Sequence, residues 1–149
     1  MKTYNISLIT PNEIINTTIA IFYDEKLSSV KLSLSFNGEE ISNQGKDYLW
    51  VDAFANLQKQ LPKNVILKCC MTCRHGNMCP YGNAPGELFC TKDLVIRSKE
   101  DMCNIFDKDS DGSEMTKRTK HCTNTCDNYQ PQSENYYTYN DYLYHLNLK

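Results

Sequence analysis

Eight cysteines crowd one stretch of the chain: Cys69, Cys70, Cys73, Cys79, Cys90, Cys103, Cys122 and Cys126. So many thiols in one segment either pair as disulfides, hold metal or fill the core, and the choice turns on the redox compartment. Asn5, Asn12, Glu13 and Asn16 interrupt the apolar positions of the first 23 residues, so no export signal is read there. No run approaches the ~20 apolar residues of a membrane helix. The expected location is the cytoplasm, where thiols stay reduced and clustered cysteines point to metal or catalysis. The expected class is therefore a metal-binding, cysteine-rich protein.

The rest of the sequence supplies the scaffold. Apolar residues make up 40% of the 149, and the aliphatic ones concentrate before residue 70. Thr3 to Ile9 forms a first short apolar run ended by Pro11. Ile15, Thr17, Ile19, Ile21 and Tyr23 then alternate with more polar neighbours, as do Val30, Leu32, Leu34 and Phe36. Period two marks strands with one buried face. Asn37-Gly38 is a tight-turn signal, and an antiparallel meander follows as the simplest arrangement. From 46 to 61 the period changes. Leu49, Trp50, Ala53, Phe54, Leu57 and Leu61 recur at three and four, predicting an amphipathic helix with Asp47 in its first turn and Pro62 after its end. Val65-Ile66-Leu67 reads as a short strand leading into the cysteines. Trp50 and Phe54 are expected to pack the helix onto the sheet.

Residues 69–131 show no sustained periodicity, and Gly76, Pro80, Gly82, Pro85 and Gly86 break any helix between Cys73 and Cys90. A loop region of that length needs another source of order. Residues 132–149 are tyrosine-rich, with a short helix expected from about Asp141 to Leu148 and Thr138 placed to cap it. The expected fold class is α+β in a single domain over 1–149. A β-meander and helix core occupies 1–68, a loop-rich cysteine metal-knuckle region 69–131 and a tyrosine-rich segment 132–149.

Within the cysteine region the informative subset is Cys70-Met71-Thr72-Cys73, then Cys90, then Cys126. Two cysteines separated by two residues can turn both sulfurs toward one ion, and a tetrahedral ion then recruits two ligands from elsewhere, pinning the loops between them. Binding of that kind is itself folding energy. His75, Cys79, Cys103, His121 and Cys122 form a candidate second set, weighed against their being core thiols. Cys69 should point away from Cys70 into the core. Four thiolates suit zinc or an iron–sulfur cluster, and zinc is preferred because a structural role asks nothing more of the ion.

The string Cys69-Cys70-x2-Cys73-Arg74, Gly76-Asn77-x-Cys79-Pro80-Tyr81-Gly82-Asn83, Leu88-Phe89-Cys90 and Cys126-x2-Tyr129 resembles an uncharacterised bacterial cysteine-rich family with no assigned function. The likeness covers about residues 65 to 142 and implies Cys70, Cys73, Cys90 and Cys126 as metal ligands. It implies no activity and does not extend to the strand-rich beginning.

Net charge of −2 and a pI near 5.9 provide no general field for nucleic acid or an anionic membrane. Lys117, Arg118, Lys120 and His121 read as a solvated basic loop. Asp107, Asp109, Asp111 and Gly112 imitate the start of a calcium loop, but Arg118 stands where its bidentate glutamate belongs, so a polar turn is expected. Cys70 and Cys73 could form a redox pair only at the start of a helix, which the following glycine and proline deny. The functional expectation is a zinc-stabilised module that binds another protein through its tyrosines. The alternative is a redox or metal-dependent enzyme built on the same cysteines.

Overall fold

The computed structural model describes residues 1–43 and 47–148, so the first position of the expected 46–61 helix lies outside the described residues. Strands β1 (Lys2–Ile9), β2 (Ile14–Asp24), β3 (Ser29–Phe36) and β4 (Glu39–Ser42) form an antiparallel meander, and β5 (Ile66–Lys68) joins it beside β1. The sheet order is β4-β3-β2-β1-β5. Register follows the period-two pattern: Tyr4 faces Ile19, Ile19 faces Leu34 and Leu34 faces Ile41, one inward row across four strands. The opposite face carries Thr3, Asn5, Asn16, Thr18, Ser33 and Ser35. Strand β4 completes the hairpin that Asn37-Gly38 starts; both residues take positive φ, 51° and 80°.

Helix α1 (Trp50–Gln60) lays Ala53, Phe54 and Leu57, all fully buried, onto the inner face of the sheet. Asp47 is not in its first turn. It bridges to Val30 ahead of the helix, and its carboxylate accepts from Asn43 and Asn56. Asn43 continues the sheet with its side chain, accepting from Leu32 N–H and donating to Val30 O. Trp50 sits half-buried at the start of α1, packed against the core with its ring tilted against Tyr23 of β2 and edge-on to His121, and Phe54 is fully buried one turn on.

The cysteine segment holds more regular structure than its sequence shows. A 3-10 turn (Cys70–Thr72) is followed by β6 (Gly76–Asn77), β7 (Glu87–Cys90) and β8 (Thr119–His121), which form a second antiparallel sheet in that order. Helices α2 (Lys99–Asp107) and α3 (Ser113–Arg118) lie between β7 and β8. The calcium-like stretch is the α2–α3 corner: Asp109 accepts from the backbone of Glu114 and Met115, and Asp111 from Ser113. These oxygens cap α3, a job short acidic side chains do well. Helix α4 (Tyr142–Asn147) closes the chain and packs on α1. Its first turn is held by Asn140, which accepts from Tyr142 N–H, while Thr138 bonds instead to the Arg74 carbonyl. The core cluster runs from Ile6 through Leu57 to Leu88, Cys122 and Tyr142, so both sheets share it.

Candidate metal centre

Three backbone features bring distant cysteines together. Cys70 N–H donates to Asn124 O at 2.7 Å, and Arg74 N–H donates to Gln130 O at 2.8 Å. These two rungs fix both ends of the 124–130 loop beside the 3-10 turn, and Cys126 lies between them. Gly76 then crosses the turn so closely that an added Cβ would stand 1.9 Å from the Cys70 carbonyl oxygen. No side chain fits there. The crossing sets β6 against β7 with Gly76 opposite Cys90, which delivers the fourth thiol. Asn140 secures the arrangement from the tail, donating to both Met71 O and Gly76 O at 3.0 Å.

As a result Cys70, Cys73, Cys90 and Cys126 line one cavity of about 20 Å³. That is room for a single water-sized occupant. His75 borders the same cavity, and so do Lys92 and Lys120. Among the described residues no three His, Cys, Asp or Glu side chains stand gathered as a ready ligand group. Four thiolates each about 2.3 Å from one zinc would stand about 3.8 Å apart.

Burial, reinforced by Cys69, Cys73, Cys90 and Cys126 close by, pushes the Cys70 thiol far above its ordinary range, and burial raises Cys73 as well. Alone, these groups are neutral thiols, the reverse of an activated redox cysteine. A bound cation reverses the balance, because coordination deprotonates a thiol outright. The donor set fits a thiophilic ion, and Lys92 and Lys120 match the double negative charge that four thiolates leave around a divalent cation. Burial, with Arg74 and Lys92 nearby, lowers the His75 pKa and keeps its imidazole neutral.

The second candidate set is divided. His75 faces the first cavity. Cys122 is fully buried in the core with Cys69, whose thiol burial pushes up to about 11. His121 stacks on Tyr4 with ring centroids 4.2 Å apart. Cys79 accepts from Tyr81 N–H at 3.4 Å, while the Tyr81 hydroxyl turns to Asp107 on α2 at 2.6 Å, with Cys103 nearby. All eight cysteines are free thiols.

The basic stretch is not a solvated loop. Arg118 is 3% exposed. Its guanidinium donates to both oxygens of Asp93, to Glu114 and to the carbonyl of Cys90. It thereby ties α3 and the segment after β7 to a cysteine of the cavity. Sequence reasoning places this residue in a solvated loop, although Glu114 four positions earlier was the available signal of a partner. Gly76 was read only as a helix breaker; nothing local announces its approach to Cys70. Comparison of the sequence with protein-family models and with curated proteins returned no match. Among the described residues no helix is long and apolar enough to cross a membrane.

Proposed function

We propose that this chain is a cytoplasmic, zinc-stabilised interaction module in which Cys70, Cys73, Cys90 and Cys126 hold one ion. The observation that carries the reading is that four thiols from a 3-10 turn, its C-terminal flank, a strand end and a pinned loop border one small cavity. A space of about 20 Å³ favours a single ion over an iron–sulfur cluster. Zinc suits it because four sulfur ligands in tetrahedral array need no redox chemistry and no open position. Exposed Tyr136, Tyr144 and Tyr81 offer the contact surface, whereas Tyr142 is buried and Tyr129 reaches in to Thr72.

Metal analysis of freshly purified full-length protein tests the proposal. One zinc per chain, lost in both Cys70→Ser and Cys126→Ser, is expected. Iron with acid-labile sulfide would replace zinc by a cluster, and metal-free protein whose melting ignores chelators would end the reading. His75 on the cavity wall favours one variant, a three-sulfur site with a neutral imidazole or water completing it, which would turn the module toward catalysis. Cobalt substitution separates the two through the intensity of sulfur-to-metal charge transfer. Capture of a specific protein by the native chain, weakened in a Tyr136→Ser, Tyr144→Ser double variant, tests the interaction role.

A further inference from the structure

An open cavity of about 500 Å³ lies where the end of α1, strand β5, helix α4 and the loop at Pro131 meet. Leu61, Pro62, Ile66, Leu143 and Leu146 give it apolar walls, and none of the four clustered cysteines lines it. The side chains of Gln58, Thr72, Tyr129 and Gln132 also border it, but all four are turned to the protein's own backbone. Gln58 bonds Val65 O and Leu67 N–H, Thr72 and Tyr129 donate to Leu67 O, and Gln132 donates to Met71 O.

Lys59 and Lys63 are different. Both are exposed in the cavity wall, neither forms an ion pair among the described residues, and no Asp or Glu lines the cavity. Asp52, the acid on α1 within the field of Lys59, stands instead 2.8 Å from His145 Nδ1. The wall thus offers hydrocarbon and two uncompensated ammonium groups, which asks for an occupant with an apolar face and negative charge beside it.

The apolar surface continues outside the cavity. Ile66 pairs in register with Ile9, and Ile9 with Ile14, so three isoleucines form one row about 10 Å long across β5, β1 and β2. Ile66 is 37% exposed and Ile14 55%. Contiguous apolar surface of this kind marks interaction sites. A lone acyl chain fills the cavity and leaves that row in water, whereas a polypeptide segment covers both. A second copy of this chain, docked symmetrically, would set its own Lys59 and Lys63 against these lysines.

We infer that this face docks an acidic amphipathic helix of a partner protein, its apolar stripe over Leu143, Leu146 and the isoleucine row and its carboxylates toward Lys59 and Lys63. The inference rests on the reading of this chain as an interaction module, and it requires neither the metal nor the exposed tyrosines.

The full-length protein is titrated with a helical peptide of about 18 residues, leucines on one face and glutamates on the other, and with the same peptide carrying lysines in place of glutamates. Methyl resonances of Ile14, Ile66, Leu143 and Leu146 report binding. Saturable shifts with the acidic peptide, and about tenfold weaker binding of the basic one, are expected from two exposed charge pairs. Lys59→Glu combined with Lys63→Glu, at exposed positions, should reverse that preference. Ile14→Ser should weaken the acidic peptide severalfold; unchanged affinity there would confine the occupant to the cavity and remove the case for a helix. The Tyr136→Ser, Tyr144→Ser variant should bind the peptide as before, and loss of binding in it would move the contact to the tyrosines and overturn the inference. Methyls unmoved at about 1 mM acidic peptide, in protein that still holds its zinc, would overturn it and leave the metal centre untouched. Equal affinity for the two peptides, or saturation of the same methyls by phosphatidylglycerol vesicles in place of the peptide, would also overturn it.

Discussion

The meander with α1 and the cysteine segment are both buried, but by opposite means. The first hides hydrocarbon: Ile6, Leu8, Ile19, Leu32, Phe54 and Leu57 are at most 1% exposed. The second hides polar groups: Thr72, Asn77, Thr91, Arg118, Thr123 and Asn140 are buried beside a handful of apolar side chains, chiefly Leu88, Phe89 and Met102. Apolar burial is roughly additive in area and tolerates small losses. A buried polar network does not, because each lost partner strands another group away from water. The second region therefore depends on every connection being made, and the four-thiol cavity lies at the centre of those connections.

The largest expected effect separates the regions outright. If one ion joins Cys70, Cys73, Cys90 and Cys126, removing it with a chelator or by Cys90→Ser forfeits on the order of 10 kcal/mol of binding energy. Amides of β6, β7, β8 and the 124–130 loop should then exchange rapidly, while those of β1, β2 and β3 stay protected. Hydrogen exchange resolved by residue reads both at once. Uniform loss of protection would show that the sheet cannot stand without the metal region, and uniform retention would remove the cation from the account.

Phe54→Ala attacks the other side. Phe54 is fully buried between α1 and the sheet. Truncating such a ring costs about 3–5 kcal/mol through lost transfer energy and the cavity left behind. Denaturant unfolding should show that loss with metal content unchanged. A drop in bound metal in this variant would mean that the regions are coupled more tightly than their chemistry suggests.

What the sequence disclosed follows the same division. Strands with one buried face advertise themselves by alternation, so β1 to β3 and the helix over Phe54 and Leu57 could be read from residue order alone. Strand β4 carries Glu39 and Glu40 at an edge and has no such pattern; only the preceding turn announces it. In the cysteine segment the spacing singled out Cys70, Cys73, Cys90 and Cys126, yet what brings them to one cavity is non-local. The Gly76 approach to Cys70, the Asn124 and Gln130 rungs and the Asn140 bonds join residues far apart in the chain. Helices α2 and α3 were hidden because they are short, polar and packed along one narrow side, leaving little periodicity to detect. Arg118 looked solvated because charged residues usually are.

Arg118 gives the next prediction. Arg118→Met retains length and loses every donor, leaving the Cys90 carbonyl, Asp93 and Glu114 without their partner. Breaking a fully buried pair costs about 3–5 kcal/mol. Asp93 and Glu114 are 42% and 39% exposed, so water recovers part of this and about 2 kcal/mol is expected. Arg118→Lys should restore little, because an ammonium cannot reach three acceptors in one plane. Thermal melting measures the loss. A parallel fall in metal affinity would show that Arg118 also positions Cys90.

The smallest effect is an acid-side one, and it isolates a single member of that network. The Arg118 guanidinium, helped by Lys117, holds the Asp93 carboxyl well below the usual carboxylate range. In the unfolded chain Asp93 titrates near ~3.9. Between the two values the folded state carries fewer protons, so stability rises with pH there. The contribution is complete above about pH 5 and fades as acidity increases through the unfolded value toward the folded one. Because Asp93 is 42% exposed, the contribution amounts to about 1 kcal/mol at most after screening. Asp93→Asn should therefore lower the unfolding midpoint at neutral pH, with the gap to the native protein narrowing as the pH falls below about 4 and closing only as the pH passes the depressed folded-state value. A difference that persisted unchanged into acid would mean that Asp93 acts through packing or hydrogen bonding alone and that its charge contributes nothing to holding Arg118 against Cys90.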